Sequence, residues 1–312
     1  MMNIRQIINY VNSFGVPLFM IKSIRRLVYK NNNKVAWYIN SLNEKKVTNF
    51  LQENIDICDI NLDNYLCCKK KVESEPIWIM WWQGEKTAPD IVKVCIQSIR
   101  NHSNGHKVYI IDKDNVSDYI NIPEIIFEKY RRKIISRTHL SDVVRLLLLA
   151  TYGGVWVDST IYMMNSFDNE VFNSNFYTIN FGEYTKDPSH GRWTTFMMAA
   201  KPNDILIKTV LKYHIKYWSE FDCLIDYIMF DYFVKLAVNS STECYNQMNS
   251  IKINNQDVFL LRKMLNKKWI SWNDLNIDND TYLFKLSWKE KFEEKTSGNQ
   301  TVYGYIKDEC LS

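Results

Sequence analysis

At 312 residues the chain is long enough for one large α/β domain plus a small appendage, and short for two full domains. Hydrophobic residues make up 46% and charged residues 24%, a composition that excludes a disordered chain. The net charge of +4 arises from 39 basic and 35 acidic side chains mixed along the sequence, which argues against a nucleic-acid partner and confines any basic patch to a local one.

Residues 1–72 read as an N-terminal helical segment. Ile4, Ile7, Ile8 and Val11 recur at helical spacing before a break at Gly15 and Pro17. A second helix comes next, in which Leu18, Phe19, Ile21, Ile24, Leu27 and Val28 alternate with Lys22, Arg25, Arg26 and Lys30. This basic amphipathic pattern suits an anionic membrane surface, and it suits a helix packed on the protein's own core equally well; periodicity does not separate the two. The apolar run from Phe14 to Ile21 is interrupted and far below the roughly 20 residues that span a bilayer, so the expectation is a protein that does not cross one. No h-region of a signal peptide is legible. The seven cysteines are odd in number and lack zinc spacing, which reads as free thiols in a reducing cytoplasm.

The main domain, 73–312, opens at Pro76, where the texture changes. Ile77 to Trp82 is a short apolar, aromatic run that predicts a buried strand. Ile91, Val94, Cys95 and Ile99 predict a helix with Pro89 at its first turn, and Val108 to Ile111 a second strand. Strand, helix, strand is the opening of a parallel α/β sheet. Neither GxGxxG nor GxxxxGK[ST] is present, so a dinucleotide site and a P-loop are both unsupported.

The most informative stretch is Thr138 to Tyr162, T-H-L-S-D-V-V-R-L-L-L-L-A-T-Y-G-G-V-W-V-D-S-T-I-Y. Its first half predicts a helix with Leu140, Val143, Val144, Leu147 and Leu148 as the apolar stripe, and with Asp142 and Arg145 three apart on one face. Gly153 and Gly154 end that helix. Val155, Trp156 and Val157 then form a buried strand that delivers Asp158 to its C-terminal end, where open α/β sheets bind ligands. Two carboxylates and a guanidinium so placed suit a ligand with a diphosphate and several hydroxyls, such as a nucleotide sugar. Taken singly, Asp142 and Arg145 read rather as a surface helix pair and Asp158 as a turn cap.

Together, S-D-V-V-R-L-L-L-L-A-T-Y-G-G-V-W-V-D-S-T resembles the DXD-containing region of glycosyltransferase family 32, in particular its capsular polysaccharide synthesis branch, and more distantly the large clostridial glucosylating toxins. The likeness extends upstream to P-I-W-I-M-W-W-Q-G-E-K-T-A-P-D and less clearly downstream through D-Y-I-M-F-D-Y-F, K-L-S-W-K and V-Y-G-Y, about residues 76–306 in all. It implies a GT-A fold, a Rossmann-like mixed sheet flanked by helices, here with the N-terminal helical segment added. It implies further that Trp82 stacks on the donor's uracil, that Asp142 and Arg145 contact the donor sugar, and that Asp158 is the first DXD aspartate. The second is replaced by Thr160, a neutral hydroxyl, which weakens a site for a hard cation. Three readings are open: Asp158 and the diphosphate hold Mn²⁺ or Mg²⁺ with ligands from the C-terminal loop, the enzyme works without metal, or the domain is inactive; the first is the expectation. Lys285, Ser287 and Trp288 resemble the closing segment over the donor, with Lys285 set to neutralise the departing diphosphate. The tract Asp222 to Val234 predicts a helix, and its Asp226 and Asp231 are acceptor-side candidates. The five histidines show no ligand spacing and receive no role.

The resemblance thus implies retaining transfer of a hexose from a nucleotide sugar, a UDP-sugar, to a glycan or lipid-linked oligosaccharide in capsule or surface polysaccharide assembly. Its expected location is cytoplasmic, peripheral on the inner face of the plasma membrane. Two rivals stand beside it: a toxin-like transferase acting on a protein, and a pseudo-transferase serving as a membrane assembly partner.

Overall fold

A computed structural model describes residues 4–312. Helix α1 (Ile4–Val28) is bent at Gly15, whose φ of 80° and ψ of 162° are not helical. Pro17 lacks an N–H and its ring clashes with a continuous helix, so the chain breaks where the Gly15/Pro17 pair predicts. Helix α2 (Lys34–Asn54) starts at Asn33, whose side chain accepts from the Ala36 N–H.

The chain continues with β1 (Ile77–Met80), α3 (Asp90–Asn101), β2 (Val108–Ile111), α4 (Val116–Tyr119), α5 (Glu124–Arg131), α6 (Arg137–Tyr152), β3 (Gly154–Val157) and β4 (Ile161–Met163). It continues with α7 (Asn169–Asn173), β5 (Phe176–Thr178), β6 (Met197–Ala200), α8 (Ile205–Glu220), α9 (Met229–Ser240) and α10 (Thr242–Ser250). The last elements are α11 (Leu260–Met264), β7 (Leu283–Lys285), the short pair β8 (Lys295–Thr296) and β9 (Asn299–Gln300), and α12 (Val302–Leu311).

Five strands form one mixed sheet in the order β2-β1-β3-β6-β5. β1 is parallel to β2 and to β3, while β6 is antiparallel to both β3 and β5. Side chains alternate across this sheet into two cores: Trp78, Met80, Trp156 and Met198 face one, and Ile77, Ile79, Val155, Val157 and Met197 face the other. Both faces are therefore covered, which is why these strands read as continuous apolar runs. The result is the expected class, a Rossmann-like mixed sheet flanked by helices with an N-terminal helical segment.

Two expectations change. The packed face of α1 is Tyr10, Phe14, Leu18 and Ile21, which join Val47 and Leu51 of α2 in the larger core, while Ile4 and Ile8 of the predicted stripe are 78% and 52% exposed. Aromatic rings fill more of the groove against the main domain than the isoleucines of the neighbouring face, and Tyr10 also finds a buried acceptor, Ile225 O, at 2.9 Å. Of the basic residues in the amphipathic pattern, whose place the sequence left open, Lys22 and Arg25 turn inward: Lys22 donates to Ile225 O and Arg25 pairs with Asp226 at 2.9 Å. The tract from Asp222 is also not helical until Met229, because residues 222–228 form the loop that receives these contacts.

Candidate active site at the edge of the sheet

The parallel strands β1 and β3 end on the same edge, and the segments just beyond their C-terminal ends build a cleft of about 530 Å³. β1 delivers Trp81 and Trp82, β3 delivers Asp158, and the segment after β7 supplies Ser287 and Trp288. Arg137, Arg262, Lys285 and Lys289 also line it, against Asp158 as the single carboxylate of the lining.

The sequence forces this placement locally. Helix α6 is closed by Gly153 at φ 67°, and Gly154 at φ 87° leads straight into β3. A Cβ on Gly154 would lie 2.1 Å from Pro76 O, so only glycine lets the strand come this close to the start of β1. After β3, the Ile161 N–H returns to Asp158 O at 2.9 Å, so Asp158, Ser159 and Thr160 make a tight turn into β4. β4 pairs antiparallel with β7 in a register that sets Ile161 opposite Lys285.

Asp158 is consequently surrounded by donors. Its Oδ2 accepts from Lys285 Nζ at 2.6 Å, and its Oδ1 accepts from the Trp156 indole N–H at 3.0 Å and from Arg145 Nη2 at 3.4 Å. Burial works against its charge, but Lys285 and Arg145 together with the hydrogen bonds from Lys285 and Trp156 overcome it and hold the carboxyl below its usual range. Lys285 Nζ also donates to Thr160 Oγ1 at 3.0 Å.

Arg145 and Asp142 lie behind this layer rather than among the lining side chains. The guanidinium is 3% exposed, with Nη2 3.4 Å from Asp142 Oδ1, and it stacks against Trp156 and Phe230 at 5.0 and 5.2 Å. Its Nε and Nη1 have no partner among the described residues. A buried guanidinium left this way is costly to the fold. Burial raises the Asp142 carboxyl, with Arg145 opposing.

The remaining candidates divide. Trp82 lines the cleft but is 8% exposed and packs edge-on against Tyr130, whereas Trp288 is 49% exposed and meets Trp81 edge-on at 5.9 Å. Asp231, in the first turn of α9, accepts from Trp193 Nε1 at 2.9 Å; burial, then Asp187, push it up to about 7. Asp226 faces away from the cleft, bonded to Arg25 and near Asn43, and ties the N-terminal helices to the domain.

The sequence profile of the capsular polysaccharide synthesis protein family matches residues 26–306. The chain belongs to that family. No curated protein matches it. Among solved structures, the PaToxG glycosyltransferase is similar at 12% identity, covering 69% of this chain and 83% of that one, with a TM-score of 0.41, too slight a likeness to carry an argument.

In this capsule-synthesis family member, sequence reasoning missed Trp156, Trp81, Arg137 and Arg262 as parts of the site. Trp156 was legible in principle. In V-W-V it is the one side chain facing opposite to its valine neighbours, hence toward α6 and Arg145. Arg137 and Arg262 carry no local signal, since only the tertiary fold brings the start of α6 and helix α11 to the same cleft.

Proposed function

We propose that the chain is a glycosyltransferase that moves a hexose, with retention, from a UDP-sugar to a glycan or lipid-linked oligosaccharide in capsule or surface polysaccharide assembly. The observation that carries this reading is Asp158 at the end of β3, held by Arg145, Trp156 and Lys285 in a cleft rich in tryptophan and basic side chains. Flat aromatic faces suit a base, and Arg137, Arg262, Lys285 and Lys289 suit a diphosphate. Asp158 then accepts from sugar or ribose hydroxyls, and Arg145 supports the Asp158 carboxylate from behind.

The bond between the anomeric carbon and the diphosphate oxygen breaks, and its electron pair leaves with the diphosphate. An acceptor hydroxyl oxygen forms the new bond to that carbon, and its proton ends on the released diphosphate. Fixed positive charge beside the leaving group favours this step, because it is already in place when charge develops. A panel of nucleotide sugars in thermal denaturation tests the reading. A ligand that binds only the folded state raises the melting temperature, and UDP-sugars should do so above ADP- and GDP-sugars; no shift with any of them contradicts it.

We also propose that α1 rests on an anionic bilayer. It is long and apolar enough to cross a membrane by length and mean hydropathy, but its packed face and its bend hold it along the protein. The opposite face exposes Ile4, Ile8, Val16, Met20, Ile24 and Leu27, with Arg5, Arg26 and Lys30 exposed beside them. A cytoplasmic, peripheral position on the inner leaflet fits such a surface.

A further inference from the structure

The two side chains a divalent cation would use in the D-S-T turn are Asp158 and Thr160, and both already contact one ammonium. Lys285 Nζ lies 2.6 Å from Asp158 Oδ2 and 3.0 Å from Thr160 Oγ1. The other Asp158 oxygen is engaged by Trp156 and Arg145. Mg²⁺ in a nucleotide site is held by one or two carboxylates together with phosphate oxygens and water; here the one carboxylate and the hydroxyl that would begin such a shell already face an ammonium, whose charge opposes a second cation at the same position. Among the described residues no group of three or more His, Cys, Asp or Glu side chains is placed to hold a metal ion. The residues therefore do not fit the Mn²⁺ or Mg²⁺ that the family resemblance implies.

Resting on the donor-site reading, we propose that Lys285 is a built-in cation that replaces the divalent metal and faces the donor diphosphate. Charge balance is conserved by the exchange. Two carboxylates around a divalent cation sum to zero, as do one carboxylate, one neutral hydroxyl and one ammonium. The backbone places Lys285 firmly: its N–H donates to Val258 O at 2.8 Å, the next N–H, of Leu286, donates to Thr160 O at 2.8 Å, and β7 pairs with β4 throughout. The diphosphate's remaining charge meets Arg137, Arg262 and Lys289 of the same cleft. Arg262 is shared with Glu290, which leaves Arg137 and Lys289 as the more available partners.

The test is calorimetric binding of UDP to the full chain in EDTA and in Mn²⁺. UDP affinity should change by less than about twofold between the two conditions. Lys285→Met, close in length and uncharged, should weaken UDP binding by about 10- to 100-fold, as loss of a charge-assisted contact does, and Lys285→Arg should restore part of it. The double variant Lys285→Ala with Thr160→Asp rebuilds two carboxylates and should bind UDP only with Mn²⁺. Mn²⁺-dependent tightening of UDP on the wild type by about tenfold or more, or wild-type UDP affinity in folded Lys285→Met, overturns the proposal. A folded wild type that binds UDP in neither condition removes the donor-site reading, and the proposal with it.

Discussion

Arg145 is the residue on which the buried half of the site turns, since it touches Asp142, Asp158, Trp156 and Phe230 at once. Asp142→Ala or Arg145→Ala should abolish measurable sugar transfer while near-native secondary structure remains, a separation that circular dichroism beside a turnover assay reads directly. Trp156→Phe keeps the ring against the guanidinium but deletes the N–H to Asp158; a loss of about 1.5–3 kcal/mol of transition-state stabilisation is expected, read as a fall in kcat/KM. Asp231 gives a pH signature. Its carboxyl is raised from 3.8 to about 7, so the stability it contributes is full below the unfolded value and is lost as pH rises through about 7. Against Asp231→Asn, the wild type should lose melting temperature steadily between about pH 4 and pH 7, and a flat difference would contradict the assignment. Asp158 was legible in the sequence as a strand-end carboxylate, and Lys285 only through the family resemblance of the K-L-S-W-K segment. Their direct contact was not, since the register of β4 on β7 joins residues 127 apart in sequence.

Among the elements, the α6 to β3 junction positions the chemistry. Gly154→Ala has no room beside Pro76 O and an unfavourable φ of 87°, so it should cost about 2 kcal/mol or more in urea denaturation. The same change pushes β3 from β1 and should reduce turnover with it. The strands at Val108–Ile111 and Val155–Val157 were readable from their apolar runs, as was α3 from its periodicity. β5 and β6 were not: Phe-Tyr-Thr and Met-Met-Ala-Ala are too short to show a period, and they are strands because β3 offers a free edge. Helix α9 begins later than the apolar tract does because Ile225 and Asp226 are spent on α1. Arg25→Ala leaves the buried Asp226 carboxylate without its charged partner and should destabilise by about 3–5 kcal/mol, with a smaller loss for Asp226→Leu because Arg25 keeps Asn40 and Asp187, if the N-terminal helices fold with the domain as one unit. A change near zero in either variant would separate the two parts.

At the scale of the molecule, one face of α1 belongs to the core and the other presents apolar and basic side chains outward, so both readings of its amphipathic pattern keep a place. Periodicity alone did not divide the faces, because the helix is apolar on both. Flotation with anionic vesicles should carry the full chain at low salt and release it as salt rises, and Ile24→Glu with Leu27→Glu should abolish flotation without loss of donor binding. The central claim, that the cleft at the ends of β1 and β3 is where a nucleotide sugar is consumed, is tested most directly by donor turnover in Asp158→Asn beside the wild type. The substitution keeps the size of the side chain and removes its charge. Wild type should turn over a UDP-sugar, and the variant should be slower by about 3 kcal/mol in barrier, roughly a hundredfold, at an unchanged content of folded protein. Equal rates for Asp158→Asn and wild type would contradict the account.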